Sequence, residues 1–288
     1  MKLYSINSGH FKLDGGAMYG VVPKSIWNRF HPADENNMIS LALRCLLIEE
    51  DDRLMLVDNG MGDKQDAKFF GHYYLHGTDT LDASLQKAGF HRNDITDVIL
   101  SHLHFDHCGG SITRKGDRLV PAFPQATYWS NALHWEWATR PNEREKASFL
   151  KENIVPIAES GQLKFIDIPE ADQTASRLAA VPFTAGVRIR LVHGHTAGMM
   201  LPEVTYKGRT IIYMADLIPS IGHIPLPYVM AYDMFPLTTL NEKKSFLGEA
   251  LEKDHVLFFE HDPSVECCTL KATERGIREA ERFTLAEL

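Results

Sequence analysis

Apolar positions in this chain gather into short runs, and most runs end on polar residues of one chemical type. Residues 39–50 (Ile-Ser-Leu-Ala-Leu-Arg-Cys-Leu-Leu-Ile-Glu-Glu) predict a buried strand, and residues 53–57 (Arg-Leu-Met-Leu-Val) a second. Asp51-Asp52 is sized for the hairpin between them, and Asp58-Asn59-Gly60 is a turn signal. From Thr80 to Phe90 the period changes: Leu81, Leu85 and Ala88 share a helix face, and Gly89 predicts its end. Asp97-Val98-Ile99-Leu100 predicts a short buried strand that runs straight into a histidine cluster.

The second half has the same style. Val187 to Val192 alternates apolar and basic residues and then reaches His193-Gly194-His195. After a Lys207-Gly208 turn, Arg209 to Met214 predicts a strand that leads to Asp216. Leu240 to Leu251 reads as a helix, and Val256 to Phe259 as a strand leading to Glu260-His261-Asp262-Pro263. Metal-competent residues thus recur beyond the C-terminal ends of apolar strands, where ligand sites in α/β proteins lie. No repeat, low-complexity tract or Pro/Gly/Ser linker divides the chain, so a single domain over residues 1–288 is expected.

Composition narrows the function classes. The hydrophobic fraction of 44% and charged fraction of 24% belong to an ordinary globular chain. A formal charge of −8 argues against a nucleic-acid partner, which needs a basic surface. No apolar stretch is long enough to span a membrane, and the N-terminal residues lack the pattern of a secretory signal. Cys45, Cys108, Cys267 and Cys268 make no CxxC spacing or disulfide framework, so the expected location is cytoplasmic.

Histidine is the informative residue, with 14 in the chain. In His102-x-His104-x-Asp106-His107 every member is a good ligand for a first-row metal. Imidazole and carboxylate without thiolate favour Zn, with Mn, Fe or Co as other candidates. Alternation along an extended segment puts His102 and His104 on one side, able to grip one ion. Asp106 and His107 follow where the chain turns, able to point at a second. Ser101 and Cys108, which flank the motif, read as packing residues.

The run Ser101-His102-Leu103-His104-Phe105-Asp106-His107 resembles the signature of the metallo-β-lactamase superfamily. The resemblance covers most of the chain: Leu56 to Gly60 is similar to the family's early strand and turn, and Gly194-His195-Thr196-Ala197-Gly198 to its Gly-His-Thr-x-Gly element. It implies an α/β fold, an αββα sandwich of two mixed β-sheets flanked by helices. It also implies two divalent metal ions. His102, His104 and His195 would hold one; Asp106, His107 and His261 would hold the other; Asp216 would bridge them. His193, outside the family pattern, is expected at the surface or behind the ligands. The resemblance also implies a second, catalytic role for Asp106, orienting the nucleophile or helping to protonate the leaving group.

The expected chemistry is hydrolysis by a metal-bridging hydroxide, with no serine or cysteine nucleophile. The expected partner is a small-molecule substrate, and the apolar segments would also allow a homodimer. Among branches of the family the motif looks most like the N-acyl-homoserine lactonases and organophosphate hydrolases. A lactone, ester or phosphotriester with an apolar substituent is therefore the expected substrate. The apolar residues of Leu217 to Phe235 and of Met18 to Pro23 are candidates to wall its pocket, or else to pack a core or dimer. The tyrosine that such lactonases often place after the bridging aspartate is absent from Leu217-Ile218-Pro219-Ser220, which leaves His223 or Tyr228 as a proton donor. A glyoxalase II-type thioesterase and a mononuclear iron persulfide dioxygenase are the alternatives on a similar ligand set.

Overall fold

The apolar runs of the N-terminal half become neighbouring strands of one mixed sheet. Its order is β1 (Lys2–Asp14), β2 (Met38–Glu50), β3 (Arg53–Val57), β4 (Asp97–Ile99), β7 (Thr127–Ser130) and β8 (Leu163–Phe165). A separate pair is formed by β5 (Ile112–Lys115) and β6 (Arg118–Pro121). As expected, β2 and β3 pair antiparallel around Asp51-Asp52, with Glu50 opposite Arg53. The strands β3, β4, β7 and β8 then run parallel. Every residue of β4 is buried, as a strand covered on both faces must be. The helix expected from Thr80 spans Leu81–Lys87, capped by the Thr80 hydroxyl, and Gly89 follows at a φ of 91°.

A computed structural model describes residues 1–174, 178 and 180–288. By contacts the chain divides into a first unit, Met1–Gly9 with Leu43–Ile168, and a second, His10–Ala42 with Pro169–Leu288. The second unit holds a seven-stranded mixed sheet. Its order is β15 (Gly276–Phe283), β14 (Cys267–Thr273), β13 (Val256–Phe258), β12 (Arg209–Tyr213), β11 (Met199–Tyr206), β10 (Val187–Val192) and β9 (Ala180–Pro182). Two large mixed sheets with helices are the fold class that the sequence implied.

Register explains where the donors fall. In the first sheet Val57 pairs with Ile99 in parallel, so Asp58 and the histidine motif leave the same end of adjacent strands. In the second, β12 and β13 are parallel with Tyr213 beside Phe258. His102 stands three residues beyond Ile99, His195 three beyond Val192, Asp216 three beyond Tyr213 and His261 three beyond Phe258.

Several elements differ from expectation. The helix read at Leu240–Leu251 is Pro236–Glu252, because Pro236 at the first turn starts it without the loss of a needed N–H. Strand β1 gives little signal: only Ile6 and Phe11 in it are buried, a spacing that matches no strand period. The candidate pocket walls are mostly core. Met18, Tyr19, Leu217, Ile218, Ile221, Ile224 and Met230 are all buried. His223, a candidate proton donor, is buried too.

The buried face of the helix Pro236–Glu252 carries two charged side chains, Glu242 and Lys243. Glu242 accepts the N–H groups of His193 and Gly194 at 2.6 and 3.0 Å. Lys243 donates to the carbonyls of Tyr228 at 2.7 Å, Pro225 at 3.3 Å and Leu226 at 3.4 Å. Burial pushes Glu242 up to about 7, against those two N–H donors. Burial pulls Lys243 down to about 7, against the charge of Asp233. A lysine whose folded pKa lies below its unfolded value binds fewer protons when folded, so its contribution to stability rises with pH above about 7. Relative to Lys243→Met, the wild type should therefore gain stability on the order of 1–2 kcal/mol between pH 7 and 9. Urea unfolding of both proteins at several pH values measures this, and a difference that stays constant with pH would refute it.

Candidate metal centre

The motif leaves β4 in extended form and then coils. His104 is still extended, at φ −66° and ψ 151°, and Phe105–Cys108 forms one helical turn. This puts His102 and His104 before the turn and Asp106 and His107 on it, as the sequence implied. All four side chains are buried. The backbone is held from outside by the His134 ring, whose Nε2 accepts the Leu103 N–H at 2.9 Å.

Buried partners fix the protons of these rings. The Ser101 hydroxyl donates to Asp58 Oδ2 at 2.5 Å, so its oxygen accepts from His102 Nδ1 at 3.0 Å. His104 Nε2 donates to the Glu145 carboxylate at 2.9 Å, and Glu145 is held in turn by Trp137 Nε1 at 2.6 Å. His102 Nε2 and His104 Nδ1 are then both lone-pair nitrogens, and they face each other 3.1 Å apart. Two such lone pairs repel unless a cation or an extra proton lies between them. Their spacing is close to the ~3.3 Å edge of a tetrahedron with Zn–N bonds of about 2.0–2.1 Å. His107 repeats the device: its Nδ1 donates to Asp58 Oδ2 at 3.1 Å, and its Nε2 lies 3.9 Å from Asp106 Oδ2.

The second unit carries the other three predicted ligands, also buried. His195 Nδ1 donates to Asp233 at 2.9 Å, which leaves Nε2, 3.0 Å from Asp216 Oδ2, as the position for a proton or a metal ion. His261 Nδ1 donates to the Ala42 carbonyl at 2.9 Å, which leaves its Nε2 3.3 Å from Asp216 Oδ1. The two oxygens of Asp216 thus face two different imidazoles. Burial pulls the pKa of His195 down, but Asp216 and then Asp233 outweigh it and hold it at about 10. A pocket that retains a proton so strongly is also a pocket for a cation. Asp216 follows Ala215, which sits at the unusual φ of 40°, so the chain turns sharply to present it. In both units the donors are nitrogen and oxygen, and their lone pairs converge. That set fits divalent first-row metal ions such as zinc.

The remaining residues singled out in the sequence have mixed outcomes. Ser101 is not simple packing, because it passes the Asp58 charge to His102. Cys108 is packing: its thiol is fully buried, donates to the Leu103 carbonyl, and is pushed up to about 12 by burial. His193 is buried, and its Nδ1 accepts the Gly198 N–H at 3.2 Å, so it braces the turn that carries His195. His223 donates from Nε2 to the Met18 carbonyl and accepts at Nδ1 from Ser220. Burial also pushes it down to about 3, so it is neutral, and the one N–H it keeps is spent on the Met18 carbonyl. The sequence missed Glu145 and Asp233 as ring-orienting partners, since nothing near either residue marks it. Asp58 could have been found, as an acid that ends the strand beside the motif.

A family model described as the metallo-beta-lactamase superfamily matches residues 44–261. The N-acyl homoserine lactonase AiiA of Bacillus thuringiensis subsp. kurstaki is 26% identical over 275 residues, covering 91% of this chain and 93% of the relative. A solved structure of a probable metal-dependent hydrolase from Staphylococcus aureus matches at a TM-score of 0.86 and 24% identity, over 98% of this chain and 96% of its own. AidC, a dizinc quorum-quenching lactonase solved in complex with a product, matches at 0.78 and 23%, over 98% and 95%.

The partners of the rings can be tested apart from the rings themselves. Asp233→Asn and Glu145→Gln should each weaken Zn²⁺ binding by about 10–100-fold without unfolding the protein. Competition with a chromogenic chelator reads the affinity, and unchanged affinity in both variants would mean that other groups orient His195 and His104.

Proposed function

The chain belongs to the metallo-beta-lactamase superfamily, and we propose that within it this metal-dependent hydrolase is dinuclear and opens a lactone, or cleaves a related ester or phosphotriester, that bears an apolar substituent. In this reading His102, His104 and His195 hold one ion, Asp106, His107 and His261 hold the other, and Asp216 spans both. The observation that carries it is the Asp216 carboxylate, with one oxygen facing His195 and the other facing His261. A carboxylate so placed is suited to link two cations. Curated relatives that share nine-tenths of the chain are N-acyl homoserine lactonases, which supports the substrate class.

Two divalent ions, when bound, supply a water acidic enough to act as a nucleophile near neutrality and a Lewis acid for the substrate oxygen. The side chains do the rest. Asp58, Glu145 and Asp233 keep the ligand rings in the tautomers that point their lone pairs inward. Asp106 sits beside His107 within the motif and would take a proton from the attacking water and return it to the leaving oxygen. His223 has both ring nitrogens engaged and takes no part. Tyr73 keeps its proton, because burial and then the charge of Asp106 push it up to about 12.

An apolar substituent has a wall of its own in the first unit. The ring of Phe105, next to Asp106, lies 4.7 Å from Tyr73 and 5.4 Å from Phe69. Phe69 and Tyr73 are only half-buried, and the short helix Ala67–Gly71 buries no residue at all. These aromatic faces are available to a ligand rather than committed to the core.

The purified protein should contain about two first-row metal ions per chain. Elemental analysis that found one tightly held iron would instead favour the persulfide dioxygenase. In a series of acyl-homoserine lactones, kcat/KM should rise about fourfold per added CH₂, or ~0.8 kcal/mol, until the wall is covered. Phe69→Ala should flatten that rise and leave the short-chain rate unchanged. Flat, near-zero rates across lactones, aryl esters and a phosphotriester, from fully metallated protein, would mean a different substrate class.

A further inference from the structure

The second unit contains a cavity of about 360 Å³ that none of the proposed metal ligands lines. Its walls are aliphatic and aromatic: Ile224, Leu226 and Tyr228 on one segment, Leu247 on the helix Pro236–Glu252, and Ile277 on β15. Three cations share it, Lys244, Arg275 and Arg278, and no carboxylate does. In a chain with a formal charge of −8, that is a strong local reversal of sign. No ion pair among the described residues engages any of the three. Glu279, next along the chain from Arg278, is instead 2.9 Å from Arg282. Arg278 spends one N–H on the Ile277 carbonyl, at 2.6 Å, and its other guanidinium donors remain for a ligand.

The cavity is also preformed. Lys243, fully buried, ties down the carbonyls of Pro225, Leu226 and Tyr228, which are the backbone of one wall. The opposite wall is the β14–β15 hairpin, where Thr273 pairs with Gly276 and the turn residues Glu274 and Arg275 lie between them. Gly276, at a φ of 91°, makes this turn and brings Arg275 and Arg278 to the cavity.

We propose that this cavity is a second ligand site, for a soluble alkyl carboxylate whose chain fills the apolar walls and whose head is held by Arg275, Arg278 and Lys244. At about 30 Å³ per methylene-sized group, the share of a water molecule, the space admits a chain of roughly eight to ten carbons. The apolar walls select the tail. The cations select a negative head over a neutral or positive one, and arginine matches a carboxylate with paired N–H donors.

The test is calorimetric titration of the full, metal-loaded chain with octanoate, 1-octanol and octylammonium. Octanoate should bind saturably at one site, and the other two at least tenfold more weakly. The double change Arg275→Glu with Arg278→Glu should weaken octanoate at least tenfold and leave the hydrolytic rate unaltered. Lys244→Glu, on an exposed helix face, is a second variant that leaves the hairpin untouched and should weaken octanoate by a smaller factor. Octanoate binding that survives all three charge reversals would belong to the metal centre and would overturn the assignment. So would octanol binding as tight as octanoate. A wild type that binds no octanoate but loses self-association on charge reversal would overturn it as well, and would make the cavity a contact between two copies of the chain.

Discussion

An imidazole can offer a lone pair in one fixed direction only if the proton on its other nitrogen is held in place. Five histidines of this chain meet that condition. His102 is held by Ser101, His104 by Glu145, His107 by Asp58, His195 by Asp233 and His261 by the Ala42 carbonyl. Each bond leaves the inward nitrogen as an acceptor, and in each unit these acceptors face one another or a carboxylate. The order of strands, the turns after them and the buried acids behind them all serve this convergence.

Convergent acceptors are costly to bury. Asp58, Glu145, Asp216 and Asp233 are carboxylates at or below 7% exposure, and several serve more than one donor. Buried carboxylates in either unit need compensating positive charge or hydrogen-bond donors. With no cation in place, Asp216 and Asp233 favour a second proton on the inward nitrogen of His195, which a cation would displace to recover the acceptor. For a family that works through metal ions, a divalent cation is the natural replacement. The chemistry of the site and the stability of its surroundings therefore rest on the same electrostatic requirement.

The helix Pro236–Glu252 shows how the second unit distributes that requirement. Glu242 holds the turn that presents His195, while its neighbour Lys243 holds the segment Pro225–Tyr228. One turn on, Leu247 of the same helix, together with Lys244, faces the cationic cavity. The same helix thus braces the turn that carries His195 and lines a separate apolar wall. The two charged groups are displaced in opposite senses, both to about 7, because burial penalises either charge.

The sequence by itself determined the strands that matter and the metal-competent residues at their ends. Apolar runs stop abruptly at His102, Asp216 and His261, and the dense spacing of the motif leaves few other readings. Local patterns carry that information because alternation and turn chemistry act over a few residues. Only the tertiary structure decided which acids set the rings. Glu145 and Asp233 lie 41 and 38 residues from the histidines they hold. Neither stands in a periodic run, and a single carboxylate in a loop looks like any solvated one. It also decided that the apolar segment after Asp216 is largely core, that His223 is silent, and that Phe69 and Tyr73 stand beside Phe105. Those outcomes depend on which surfaces meet after folding, and a linear pattern of hydrophobicity does not specify them.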